Sequence, residues 1–228
     1  MQKYEKWCPI FNAHDKYEES IFFLANMVAY YHSSRLFRFY LNAFIKSFRE
    51  ITFMIQTYKN SILNFDAWYK IKREEMKNDR FLRWLSDSRT RVVHRDMLKT
   101  KSNIAVGLFR GRTLKLAFSI PINNPFVDSS YFLKMANSFE FIDKSHSAIG
   151  EQCGVRRQWK CDGLAEGDEL VKVCIYGLDY IGELLVELHK MFGFSFKPYT
   201  FDKNEIEEKY VLLETDIDPR LVKKWGWE

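Results

Sequence analysis

The sequence predicts a mainly α-helical protein, in which a helical bundle carries an inserted β-hairpin and irregular region before its last long helix. Gly and Pro number only 10 and 5 in 228 residues, below their usual frequencies of roughly 7% and 5%, which disfavours a turn-rich β fold. Apolar residues recur at helical spacing through several long segments. A hydrophobic content of 46% with 29% charged residues indicates a soluble globular protein.

Two helices are predicted at the start of the chain. Residues 15–33 carry apolar side chains at helical spacing, namely Ile21, Leu24, Ala25, Val28 and Tyr31. Ser33 and Ser34 can cap a second helix over about 35–59. One buried stripe is predicted on that helix: Phe37, Leu41, Phe44, Phe48, Ile51 and Ile55. The short gap between the two helices predicts an antiparallel pair.

A third and a fourth helix are predicted next. Asp66 can cap a third helix that runs through Met76. Asn78 or Asp79 can cap a fourth helix, which extends over 78–98. The core face of this fourth helix is predicted to consist of Phe81, Leu82, Leu85, Val92 and Val93.

The segment 102–165 is predicted to be an insertion that begins with a β-hairpin. Apolar residues alternate with small or polar ones on both sides of Gly111, and Pro121 is expected to end the second strand. Residues 129–142 are predicted to be weakly helical, and residues 143–165 irregular or partly stranded.

The helix over 166–192 is the longest apolar periodic segment that remains, and Gly193 is expected to end it. Its predicted buried side consists of Leu170, Val173, Cys174, Gly177, Ile181, Leu184, Leu185 and Leu188. We therefore predict a single domain over 1–228, with a helical core at about 15–98 and 166–192. The insertion occupies about 102–165, and residues 193–228 form a C-terminal tail in which Trp225 and Trp227 dock on the body.

Positive charge is concentrated in one part of the sequence. Ten basic and two acidic residues between Arg80 and Lys115 give this stretch a net charge of +8, whereas the whole chain carries +5. Such a concentration is typical of a protein that contacts the phosphate backbone of a nucleic acid. A solvated basic helix followed by a basic hairpin would produce the same pattern.

No metal, cofactor or membrane is indicated by the sequence. His146, Cys153 and Cys161 do not have the spacing of a usual zinc site, and the four cysteines are irregularly placed. The longest apolar stretch, residues 21–31, is too short to span a bilayer. No secretory signal is evident, so we expect a reducing, cytoplasmic compartment.

The candidate catalytic motif is Arg89-Thr90-Arg91-Val92-Val93-His94, in the predicted fourth helix. A guanidinium can hold a phosphate through two parallel hydrogen bonds, and an imidazole can exchange a proton near neutral pH. On an ideal helix, Arg89 and His94 lie about 140° apart around the axis. They could therefore flank a groove or act across a subunit interface.

This motif and its surroundings resemble the HEPN superfamily, a group of helical bundles that includes many metal-independent ribonucleases. The resemblance rests on the Arg-x4-His motif, on the aromatic start of its helix at 81–85, and on the amphipathic helix at 43–53 followed by a closing helix. It covers about 15–98 and 166–192. In the family, Asn often follows the motif Arg, where this chain has Thr90.

The resemblance implies a metal-independent endoribonuclease, and we expect this activity in a toxin or defence effector. His94 would be the general acid or base, Arg89 would bind the scissile phosphate, and Thr90 would position either group. The expected contacts with flanking RNA are Arg91, Arg95, Arg83 and Lys99. Glu50 would orient Arg89 or form a plain surface ion pair.

The resemblance also implies RNA as the ligand and a homodimer in which two motifs meet in one cleft, with a cognate antitoxin or regulatory protein as a possible partner. Two alternatives remain open. The chain could be a non-catalytic RNA- or protein-binding module of the same fold, or a structural domain in which Arg89 and His94 contact buried neighbours.

Overall fold

The computed structural model describes residues 8–94, 98–122, 124, 126–136 and 148–228. The chain divides into two compact units. The first, here the helical unit, comprises Met1–Met27, Phe39–Leu98 and Gly163–Phe201. The second, here the sheet unit, comprises Val28–Arg38, Lys99–Asp162 and Asp202–Glu228. Both units are assembled from segments that are far apart in the sequence.

The fold is mixed α/β, so the prediction of a mainly α-helical bundle is wrong. Helices account for 58% and strands for 17% of the described residues, and the strands form one four-stranded antiparallel sheet. The largest difference lies at 151–161, where one 11-residue strand occupies a segment predicted to be irregular or partly stranded. Most of this strand is buried on both faces, so its sequence lacks the polar alternation that identifies a half-exposed strand.

Long helices dominate the helical unit. Their bounds are α1 at Phe11–Ala29, α2 at Ser34–Thr57, α3 at Phe65–Asn78 and α4 at Arg80–His94. The end of α1 and the start of α2 belong to the sheet unit. A short 3₁₀ turn, Lys59–Ser61, lies between α2 and α3. The predicted stripe on α2 is buried throughout its length, because side chains three and four positions apart share one helix face.

A capping aspartate marks the start of α4, and a glycine follows the end of the last long helix. Asp79 accepts hydrogen bonds from the backbone N–H groups of Phe81 and Leu82, both at 2.9 Å, which confirms the predicted cap. Within the described residues α4 ends at His94, earlier than predicted. Gly193, with φ +76°, follows the last long helix as expected.

The last long helix is α6 at Leu170–Met191. In the sequence it is preceded by the shorter helix α5 at Ser129–Ala136 and followed by the shorter helix α7 at Lys203–Glu208. Every side chain predicted for its inner face is buried. Glu169 caps its start by accepting a hydrogen bond from the backbone N–H of Lys172 at 3.0 Å. Among the described residues, every helix is too short or too polar to cross a lipid bilayer.

The sheet unit is built on strands β1 at Thr100–Arg110, β2 at Thr113–Ile122, β3 at Glu151–Cys161 and β4 at Val211–Leu213. They are arranged in the order β2-β1-β3-β4. The predicted hairpin is confirmed as β1 and β2, and its turn contains Gly111 at φ +56°. Pro121 lies inside β2 and not after it, which is possible because β2 is an edge strand.

The helix α5 packs on β1 and β3 and covers one face of the sheet. The apolar cluster beneath it contains Ile104, Val106, Phe132, Leu133, Cys153 and Val155. The segment predicted as a tail supplies β4, which pairs with β3. The short helices α8 at Glu214–Ile217 and α9 at Leu221–Lys224 complete this part of the unit.

Candidate functional site

The predicted catalytic motif lies on the last turns of α4. Arg89 is half-buried, and Thr90 and Arg91 are exposed. The backbone of His94 ends α4, but its side chain and all of Arg95 lie outside the described residues. The structure therefore gives no distance between the guanidinium and the imidazole of the predicted pair.

Glu50, the predicted supporting residue, contacts a lysine of α1. Its Oε2 lies 3.1 Å from Nζ of Lys16, which also binds Glu19. Hydrogen bonds to Glu19 and Glu50 raise the pKa of the Lys16 ammonium. Glu50 thus forms the surface ion pair that was the other interpretation of this residue, and orientation of Arg89 by Glu50 stays a prediction.

The basic stretch 80–115 is partly neutralised by acids from other parts of the chain. Arg80 lies 3.0 Å from Asp168 in the helical unit. In the sheet unit, two further ion pairs form, Lys101 with Asp162 at 3.3 Å and Arg112 with Asp216 at 2.8 Å. The net charge of a sequence stretch therefore overstates the positive charge that a ligand would meet.

A groove in the helical unit brings basic and aromatic side chains together. It lies between α2, α3 and α4 and has a volume of about 570 Å³. Its basic side chains are Arg49, Arg73, Lys77 and Arg83, its acidic ones are Glu74 and Asp87, and its aromatic ones are Phe48, Phe53 and Tyr69. Of the predicted RNA contacts, Arg83 lines this groove. Lys99 is exposed at the start of the segment 99–162 in the sheet unit.

The half-buried Arg49 and the exposed Phe53 form an aromatic–cation pair at the groove. The guanidinium carbon of Arg49 lies 4.6 Å from the centre of the Phe53 ring, and 43% of Phe53 is exposed. Arg49 also donates a hydrogen bond from Nη1 to Oγ1 of Thr52 at 2.6 Å. This bond helps to hold the guanidinium over the ring, and the ring remains partly exposed to solvent.

Tyr69 provides a second ring at the same groove. Its hydroxyl donates a hydrogen bond to the carbonyl oxygen of Thr52 at 3.4 Å, and its ring stacks on Phe65 with centres 5.3 Å apart. Burial raises the pKa of Tyr69, although the nearby Arg49 lowers it. The phenol is therefore neutral at physiological pH, and the ring is held in a fixed orientation.

A second groove continues the first. It has a volume of about 370 Å³ and shares Gln56, Tyr69 and Arg73 with the first groove. Its further charged residues are Lys59, Lys70 and Asp66. Together the two grooves are lined by six basic and three acidic side chains. They form a positively charged path longer than either cavity alone.

The helical unit also contains a cluster of one cysteine and two histidines. Sγ of Cys8 lies 3.6 Å from Nδ1 of His14 and 3.3 Å from Nε2 of His189. Both histidines are buried, whereas Cys8 is half-buried. Burial lowers the pKa of both imidazoles and raises the pKa of the thiol. These groups are among those that can hold a metal ion.

Comparison with known proteins identifies the family. The family model described as "Bacteriophage lambda protein ea47" matches residues 2–217, nearly the whole chain. The chain belongs to the ea47 family. A similar protein, "Protein ea47" of Escherichia phage lambda, is 40% identical over 63 residues, which are 27% of this chain and 15% of the length of that relative. No solved structure matches this ea47-family protein.

Membership of the ea47 family overturns the HEPN assignment. The ribonuclease activity, the all-α HEPN fold and the toxin–antitoxin or defence role inferred from that resemblance are wrong with it. The motif is short, and a chain with 14 Arg and 5 His contains an Arg four to six residues before a His about once by chance. The homodimer and the cognate protein partner stay predictions, but the meeting of two Arg–His motifs no longer supports the dimer.

The sequence pattern did not reveal the cysteine–histidine cluster of this ea47-family protein. Cys8 and His14 are six residues apart, but His189 is contributed by the last turn of α6, far along the chain. The zinc candidates considered from the sequence were His146, Cys153 and Cys161. The cluster depends on a contact between α1 and α6, and residue spacing within one segment of the sequence does not reveal such a contact.

Proposed function

We propose that this ea47-family protein binds single-stranded nucleic acid along the groove between α2, α3 and α4. The observation that carries the proposal is the placement of exposed or partly exposed aromatic rings beside arginines in one continuous path. Guanidinium and ammonium groups bind phosphates, and aromatic rings stack on unpaired bases. RNA, the ligand expected from the sequence, contains both phosphates and bases.

The positive charge of the path supports a phosphate-bearing ligand. Six basic against three acidic side chains leave an excess of positive charge. Lys77 and Glu74 lie 3.8 Å apart, but both are largely exposed, so this ion pair is weak and can open when a phosphate arrives. Binding that depends on such contacts releases counterions and weakens as salt rises.

The aromatic rings support a single strand and not a duplex. Phe53 lines the groove and is partly exposed, and Tyr69 is held in place by Phe65 and Thr52. In a duplex the faces of the bases are already stacked on their neighbours, so only an unpaired base can use these rings. One such stack contributes about 1–3 kcal/mol.

The length of the path supports a chain of nucleotides over a single nucleotide. The two cavities share three lining residues and therefore adjoin each other. Lys70 and Lys59 line the second cavity and Arg83 lines the first, so cations are available along both. These cations can therefore neutralise several neighbouring phosphates of one bound strand.

The experiment is a titration of the protein into labelled 12-nucleotide single strands of RNA and DNA, and into the matching duplex. Binding is measured by fluorescence anisotropy at several salt concentrations. Arg83→Gln removes one cation from the groove and is expected to weaken binding about three- to fivefold and to lower the salt slope by about 0.7. Arg91→Gln is the matched control, because Arg91 is an exposed arginine of the same helix that does not line the groove.

The results separate the groove from general attraction to a basic helix. Weaker binding in Arg83→Gln but not in Arg91→Gln supports the groove as the binding site. Equal losses in the two variants, or tighter binding of the duplex than of the single strands, would contradict the proposal.

A further inference from the structure

We propose that Cys8, His14 and His189 bind one transition-metal ion, and that zinc is the ion for which this donor set is best suited. Zinc binds both thiolate sulfur and imidazole nitrogen, whereas magnesium and calcium require oxygen ligands. Copper uses one thiolate and two imidazoles when a weak axial ligand is also present. The site lies apart from the groove residues and does not depend on the proposed nucleic-acid binding.

The two sulfur–nitrogen distances fit an ion held by Cys8 and both histidines. An ion held tetrahedrally at about 2.3 Å from sulfur and about 2.0–2.1 Å from nitrogen separates these two atoms by about 3.5 Å. The observed separations are 3.6 Å for His14 and 3.3 Å for His189, and all three donor atoms lie within 4.8 Å of one another. The same geometry requires the two nitrogens to be about 3.3 Å apart, so binding an ion draws the two imidazoles together.

The second nitrogen of each histidine faces an acceptor. Nδ1 of His189 donates a hydrogen bond to the carbonyl oxygen of Leu185 at 2.7 Å, so its Nε2 carries the lone pair that faces Cys8. Nε2 of His14 lies 3.4 Å from Oε1 of Glu18, so its Nδ1 can face the sulfur in the same way. Metal-binding histidines are usually oriented by such an outer carbonyl or carboxylate.

The proton count also favours an ion. Two imidazole nitrogens face one sulfur, and a neutral thiol carries a single proton, so it can donate to only one of them at a time. A divalent ion binds the thiolate and both nitrogen lone pairs at once. Binding transfers the thiol proton to solvent and forms one metal–sulfur and two metal–nitrogen bonds, with no change of oxidation state.

An aromatic ring closes one side of the cluster. Phe196 stacks on His189 with ring centres 4.8 Å apart and contacts the edge of His14 at 4.7 Å. This apolar cover limits the access of water and strengthens electrostatic attraction to an ion. Three protein ligands leave one position of a tetrahedral ion for a further ligand.

The test is a cobalt(II) titration of the full chain after removal of metals by a chelator, followed by absorption spectroscopy. We expect one equivalent of cobalt to produce the sulfur-to-cobalt charge-transfer band and the intense visible bands of a four-coordinate ion. Zinc should displace the cobalt, and protein purified without chelator should contain about one zinc ion per chain by mass spectrometry.

Three variants locate the site. Cys8→Ser is expected to abolish the charge-transfer band and to weaken cobalt binding at least about 100-fold, whereas Cys161→Ser, which removes a buried thiol of the sheet unit, should leave both unchanged. Glu18→Gln changes an exposed positioning residue, so folding should be preserved, and the expected loss of affinity is about tenfold.

A folded wild-type protein that shows no charge-transfer band with excess cobalt would overturn the proposal. So would a band that persists in Cys8→Ser, because the thiolate would then come from another cysteine. Circular dichroism on each variant shows whether the fold is intact. Nucleic-acid binding can fail without affecting these outcomes, since the probe is the metal alone.

Discussion

Two arginines that lie over aromatic rings show how differently the two units use the same contact. In the sheet unit, Arg157 lies 3.7 Å from the ring of Trp159, and the two side chains are 1% and 0% exposed. In the helical unit, Arg49 lies over Phe53 at the edge of an open groove. The buried pair is closed to ligands and therefore contributes to the fold. The exposed pair can accept a further ring or a phosphate.

The buried pair is held by contacts within the sheet unit. Nη1 of Arg157 donates a hydrogen bond to the carbonyl oxygen of Val127 at 2.8 Å. Burial lowers the pKa of Arg157 to about 10, so the guanidinium is still charged at neutral pH. Among the described residues, its Nε and Nη2 have no hydrogen-bond partner. The ring of Trp159 and the negative charge of Asp128 both help to stabilise this charge.

Removal of the buried arginine should have the largest effect. We expect Arg157→Ala to lower the free energy of unfolding by about 3 kcal/mol, because it leaves a cavity against Trp159 and deletes a buried hydrogen bond. Arg49→Ala should change it by about 0.5 kcal/mol or less, since the side chain is at the surface. Urea denaturation followed by circular dichroism measures both, and equal losses would remove the contrast between the two pairs.

A third substitution separates the charge from the packing. Arg157→Met keeps most of the volume of the side chain without the charge. If Arg157→Met is as stable as the wild type, the guanidinium contributes little beyond filling space. If it is as unstable as Arg157→Ala, the polar contacts of the guanidinium, namely the hydrogen bond to Val127 and the cation–ring contact, are the main contribution.

The sheet unit should also lose stability in mild acid through His32. Burial, followed by the positive charge of Arg157, lowers the pKa of His32 from 6.5 to about 4. The unfolded chain therefore binds a proton before the folded one, and stability that is complete above pH 6.5 is lost as the pH falls toward 4. We expect a loss of about 2 kcal/mol, less than the full shift implies because the side chain keeps some solvent contact.

The measurement is a pair of urea denaturation curves at pH 7 and pH 4.5, for the wild type and for His32→Gln. The variant should lose less stability between the two pH values, because glutamine does not titrate. An identical acid dependence in both proteins would show that other groups, and not His32, control the response.

The exposed pair should matter for ligand binding. We expect Phe53→Ala to weaken the binding of single-stranded RNA about tenfold, because one ring–base stack contributes about 1–3 kcal/mol. Phe126→Ala is the matched control, since this exposed ring also lies under an arginine, Arg38, at 4.5 Å, but lines neither groove. Fluorescence anisotropy gives both affinities, and the same loss in the two variants would exclude a specific stack at the groove.

The parts of the fold that could be predicted are those with a strong local period. The buried stripes of α2 and α6 follow from helical spacing, and the hairpin follows from alternation around Gly111. The strand β3 has no such signal, because both of its faces are covered and it contains the pair Arg156 and Arg157. Arginines are usually exposed, so both would be predicted at the surface from the sequence. In the structure, however, Arg157 is buried between elements of the sheet unit.

The candidate sites depended on contacts that the sequence does not encode locally. Arg83 was expected to contact RNA and lines the groove, but Arg49 and Phe53 come from another helix and were expected only to be ordinary helix residues.

The start of α2 also depends on a contact between residues that are far apart in the sequence. Asp128 accepts hydrogen bonds from the backbone N–H and the hydroxyl of Ser34, at 2.7 and 2.6 Å, from 94 residues away.

The position of β4 has a consequence for chain synthesis. This strand pairs with β3 from Val211–Leu213, after all of the long helices have been made. A ribosome that stops before Val211 would release a chain in which part of the β3 edge is unpaired, and unpaired edges readily recruit strands from other molecules. Premature termination before Val211 should therefore yield fragments that aggregate or are degraded rapidly.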